Sequence, residues 1–97
     1  MTLRTTHKLK LALSDKLASE APELVAVAQR NIPKMRARVS GEIQQRYLDI
    51  WEQALGNTSE LQALILDESD EGLSVWQLAP FAGAFTPQER YYILRRK

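Results

Sequence analysis

An all-α domain is the fold class this sequence predicts: a compact bundle of five or six short helices, one of them kinked or broken near Pro33. Three observations predict it. Leu, Ala, Gln, Glu and Arg, all good helix formers, are abundant throughout. Apolar residues recur at spacings of three and four rather than two, so helical stripes outnumber alternating runs. The four glycines and four prolines are scattered singly, as punctuation between helices. At 97 residues with 44% hydrophobic composition, the chain is long enough for a single domain spanning 1–97, with a mobile start at residues 1–5 and a thin core.

Leu9, Leu13 and Leu17 place a first helix over 6–20, with Thr5 or Thr6 as its cap. Pro22 suits the first turn of the next helix, where a missing N–H costs nothing. Leu24, Ala28, Ile32, Met35 and Val39 then share a face. Pro33 interrupts this run, because it withdraws a hydrogen bond from Gln29 and disfavours helical geometry at Ile32. A kink or split near Asn31 is therefore expected, with Asn31 available to cap the second piece.

Ser40-Gly41 is a break. Ile43, Tyr47, Ile50, Trp51, Ala54 and Leu55 follow it with the strongest amphipathic pattern in the chain, which marks this helix as the central element. Gly56-Asn57 ends it. Ser59-Glu60-Leu61-Gln62 has capping-box spacing and opens a short helix buried through Leu61, Leu64 and Ile65. The acidic stretch 67–72 reads as a loop or a frayed helix end, since four like charges near a helix C-terminus oppose the macrodipole.

Residues 73–79 form another short helix around Val75, Trp76 and Leu78. The apolar connector 80–85 folds back over the central helix. Thr86-Pro87-Gln88-Glu89 combines a threonine cap, a proline at the first helical position and a glutamate two residues on, so a last helix runs from Pro87 towards Arg96.

A formal net charge of +1 conceals a partition. Residues 1–46 hold nine Lys or Arg against four acids, residues 47–89 hold eight acids and no Lys or Arg, and the last eight residues hold four basic side chains. Such asymmetry suits binding to a charged partner, or association of the chain with itself as a homodimer.

Catalytic constellations are missing from this pattern. His7 is the only imidazole and cysteine is absent, which excludes thiolate metal sites and cysteine nucleophiles. No serine stands at a spacing that would join His7 and an aspartate in a triad. The acidic stretch lacks the Asp-x-Asp-x-Asp-Gly order of a calcium loop, and no glycine-rich loop could cradle a phosphate. The reading is a non-enzyme with no cofactor and no metal. No apolar run is long enough to span a membrane and no signal peptide is evident, so a cytoplasmic protein is expected.

Two surfaces could carry binding. The first is acidic and aromatic: Asp67, Glu68, Asp70 and Glu71 supply charge complementary to a basic protein, and Trp76, Tyr91 and Tyr92 supply anchors of the kind that dominate protein interfaces. Tyr91 and Tyr92 point about 100° apart on a helix, so at least one of them faces outward. The second is a basic stripe, Arg30, Lys34 and Arg38 with Arg36 beside it, supported by Arg4, Lys8 and Lys10, which could meet nucleic-acid phosphates. No aromatics interleave these cations, so backbone attraction would dominate over base reading. The expected function is that of a small bacterial or phage regulatory protein, antitoxin-, inhibitor- or adaptor-like, that grips a protein partner through the acidic face. Nucleic-acid binding through the basic stripe is the alternative.

Overall fold

The computed structural model describes the backbone of residues 3–95 and the side chains from residue 6 onward; the expected mobility of 1–5, the side chain of Arg4 and the end of the last helix at Arg96 lie outside the described residues. Five helices follow in order: α1 (Leu3–Arg38), α2 (Glu42–Ala54), α3 (Thr58–Leu66), α4 (Asp70–Trp76) and α5 (Pro87–Arg95).

The interruption in α1 falls at Glu20, whose φ of −138° and ψ of 46° leave the helical region, and not at Pro33. Pro22 lacks the N–H that would bond back to Ala18, and its ring crowds that carbonyl. Residues 18–20 are exposed, so opening the turn there costs no packing and leaves the freed carbonyls to water. Pro33 sits between anchored turns. Ala28 and Ile32 are buried before it, and Arg36 is tied to α2 after it. The helix therefore runs through Pro33 without the bond that a Pro33 N–H would have made to Gln29, which is exposed. Asn31 caps nothing; its amide donates to the carbonyls of Pro80 (3.0 Å) and Ala82 (2.9 Å) and pins the connector.

The central element is α1 and not α2, because α2, α3 and α5 all pack against it. Leu13, Leu17, Leu24, Ala28 and Ile32 of α1 meet Trp51 and Ala54 of α2, Leu61 and Ile65 of α3 and Val75 of α4 in one core. Phe81 and Ala84 close it from the connector. Trp51 is wholly enclosed, donates its indole N–H to the Val75 carbonyl at 2.9 Å and meets Phe81 edge to face at 5.4 Å. The connector thus folds over α2 as its apolar composition requires. Ile43, by contrast, stands exposed at the first turn of α2.

Caps set the remaining boundaries. Asn57, not Ser59, caps α3 by accepting from the Glu60 N–H at 3.1 Å. Ser69 caps α4 by accepting from the Gly72 N–H at 3.1 Å. Asp70 and Glu71 consequently belong to the first turn of a helix, not to a loop or the frayed end of the helix before, and the positive pole favours them there. The Thr86 box forms as its spacing demands: Glu89 N–H donates to Thr86 Oγ1 at 3.1 Å and Thr86 N–H donates to Glu89 Oε1 at 2.9 Å. The Thr86 N–H, and after it the Thr86 hydroxyl, hold the Glu89 carboxyl below its ordinary pKa. Among the described residues no helix is long and apolar enough to cross a membrane.

Candidate functional site

The basic and acidic regions meet in part. Lys10, expected to reach solvent or phosphate, is instead fully buried. It lies seven residues before Leu17, a displacement of only about 20° around the helix, so it shares the core-facing side of α1. Its stem runs through the core and its ammonium donates to the Asp67 carbonyl at 2.9 Å. The same nitrogen lies 3.6 Å from Glu68 Oε2 and 5.2 Å from the centre of the Trp76 ring. Glu68 also takes His7, Nδ1 to Oε1 at 3.3 Å. His7 thereby has a place on α1, against the α3–α4 junction.

Of the four predicted acids, two are occupied inside the chain. Glu68 is shared by Lys10 and His7, while Asp67 closes a turn by accepting from the Ser69 N–H at 2.8 Å. The hydroxyl and N–H of Ser69 hold the Asp67 carboxyl below its ordinary pKa, with Lys10 adding a smaller contribution. This turn packs tightly on α4, since a Cβ at Gly72 would collide with the Asp67 side chain. Asp70 and Glu71 are exposed and form no ion pair among the described residues.

The basic stripe divides likewise. Arg36 donates to Gln45 Oε1 (3.1 Å), Asp49 Oδ1 (2.6 Å) and Glu52 Oε1 (3.4 Å), so it fastens α1 to α2 and is not offered to a phosphate. Gln45 returns bonds to the carbonyls of Arg36 and Val39. Arg30, Lys34 and Arg38 remain exposed, with no ion pair among the described residues. Lys8 donates to the Leu94 carbonyl at 3.1 Å and satisfies the C-terminal end of α5.

Trp76 is half-buried beneath the Lys10 ammonium, so it is a wall and not a projecting anchor. Tyr91 and Tyr92 are exposed at 54% and 63% and contact each other edge to face at 6.0 Å. Neither fills the core; the half-buried Tyr47 of α2 packs there instead. Arg95 lies over the Tyr91 ring at 5.2 Å and donates to its hydroxyl. α5 contains no fully buried residue and rests its backbone on α1 alone among the helices.

Because His7 reaches Glu68 while Lys8 reaches Leu94, the acidic junction and the end of α5 flank the same turn of α1. Sequence reasoning missed this arrangement because its contacts join residues 61 and 86 positions apart. Beside it, Leu9, Leu13, Trp76, Phe81, Phe85 and Arg90 line a groove of about 250 Å³. Compared with protein-family models, characterised proteins and solved structures, the chain matches none of them.

Proposed function

We propose that this protein is a non-enzymatic regulator that binds another protein, antitoxin-, inhibitor- or adaptor-like, through the outer face of α5 and the adjoining acidic turn. The observation that supports this reading is the tyrosine pair. Tyr91 and Tyr92 are neighbouring aromatics, each more than half exposed, on a helix that buries no residue fully and is flanked by Arg90 and Arg95. Tyrosine and arginine are the side chains that concentrate binding energy in protein interfaces. Asp70 and Glu71 supply uncompensated charge for a basic rim on the partner.

The test is affinity capture at low salt from the organism that encodes the chain, comparing wild type with the double variant Tyr91→Ala, Tyr92→Ala. A stoichiometric partner is expected, and the variant should bind it at least about thirtyfold more weakly, as for a hot-spot loss of about 2 kcal/mol. Circular dichroism should be unchanged. Failure to recover a partner, or equal recovery by the variant, overturns the reading.

A second reading, nucleic-acid binding, draws support from Arg30, Lys34 and Arg38, which lie exposed at four-residue intervals over about 12 Å of helix. Three phosphate contacts would give an affinity falling with salt at a log–log slope of about −2.7. Gel-shift titrations at two salt concentrations should show that slope, and charge reversal at the three positions should remove the shift. A salt-independent shift, or none, ends this alternative.

A further inference from the structure

We propose that the groove between α1, α4, the connector and α5 is a binding site for a free aliphatic carboxylate of about eight carbons. Its walls are the side chains of Leu9, Leu13, Trp76, Phe81 and Phe85, and Arg90 is the one charged group that lines it. Predominantly apolar walls offer water few partners, so water held there is readily displaced by a hydrocarbon chain.

The size of the groove sets how much of an occupant it can cover. At about 30 Å³ per water, 250 Å³ holds roughly eight waters, or a chain of about that many heavy atoms.

Arg90 selects the head group. Its guanidinium forms no ion pair or hydrogen bond among the described residues, and the neighbouring acid, Glu89, is held in the Thr86 capping box. A guanidinium fork matches a carboxylate in shape, and its single charge balances one carboxylate, whereas a phosphate would call for more cations. The connector side of the groove is fixed before any ligand arrives, because Phe81 is locked against Trp51 and the connector is pinned by Asn31.

The experiment is an amide and indole NMR titration of the whole chain with octanoate, octanol and octylammonium, repeated on Arg90→Gln. Arg90 is exposed, so the variant should fold. Octanoate should produce saturable shifts centred on the Trp76 indole and the Phe85 amide. Arg90→Gln should weaken octanoate about tenfold, the loss expected for one charge-assisted hydrogen bond, and change octanol less than about twofold. Octylammonium should bind more weakly than either. Shifts that fail to saturate, octanol equalling octanoate on wild type, or octanoate unaffected by Arg90→Gln would each overturn the proposal. Tyr91→Ala, Tyr92→Ala should leave octanoate binding in place, because neither side chain lines the groove; the two proposals can therefore fail separately.

Discussion

Replacing Lys10 by methionine keeps an unbranched apolar stem in the core and removes only the ammonium. The lost interactions are the bond to the Asp67 carbonyl at 2.9 Å, the position over Trp76 at 5.2 Å and the attraction to Glu68 at 3.6 Å. A charged donor on a carbonyl contributes about 1.5–3 kcal/mol, and a cation on an indole face contributes about 1 kcal/mol. Glu68 is half-exposed, so solvent screening limits its share to about 0.5 kcal/mol. Against these, methionine escapes the desolvation of a buried charge, which cancels a large part of the gain.

The expected net cost of Lys10→Met is about 1–2 kcal/mol, leaving the Asp67 carbonyl short of its donor. Lys10→Ala also removes three buried methylenes at about 0.8 kcal/mol each, for a total of about 3–4 kcal/mol. In a domain of 97 residues these correspond to Tm losses of about 10 °C and about 20 °C. Scanning calorimetry and urea unfolding should rank the chains wild type, methionine, alanine. A methionine variant as stable as wild type would refute the reasoning, since desolvation would then outweigh every bond the ammonium makes.

Asn31→Ala should cost about 1–2 kcal/mol by releasing Pro80 and Ala82, and Trp51 fluorescence should report looser packing as Phe81 gains freedom. Gly83 has φ of +86° with open space around the position a Cβ would take, so Gly83→Ala should cost about 1–2 kcal/mol from backbone strain alone, read by urea unfolding. The Asp67 and Glu89 carboxyls are both depressed in the folded chain, from ordinary values of 3.8 and 4.5. Each therefore adds stability that is fully present above those values and is lost as pH falls through the lower folded ones. Asp67→Asn and Glu89→Gln keep an acceptor but no titration, so a Tm series from pH 6 to about pH 2.5 should fall less steeply for both. Equal acid slopes in wild type and variants would contradict this assignment.

Local signals were the legible part of the fold. The Thr86 box forms as read because both partners lie within four residues, so no distant element has to be known. The core faces of α1 and α3 were legible for the same reason, as periodicity is a property of one helix at a time; in α2 the stripe held Trp51 and Ala54 but missed the wholly buried Leu48 and began at Ile43, which is exposed. What escaped the sequence was competition between elements. Pro22 and Pro33 offer the same chemistry, and the break falls at the turn that packing leaves unsupported. Asn31 reads as a cap, yet its partners lie 49 and 51 residues away. Lys10 was the exception: its alignment with Leu17 was visible in the spacing, and its charge masked that position. Among the described residues, the partition of charge along the chain survives folding where no opposite group comes within reach, as at Arg30, Lys34 and Arg38 on one side and Asp70 and Glu71 on the other.

The lean attachment of α5 sets the order in which the native structure comes apart. With its carbonyl end held by Lys8 and none of its residues fully buried, this helix can peel away while Trp51, Phe81 and the leucines of α1 stay enclosed. Its amides should exchange with deuterium well before those of α2 and α3. A protease should trim the chain back to the neighbourhood of Gly83 and leave a folded remnant, so the tyrosine-bearing surface can be lost without unfolding the rest.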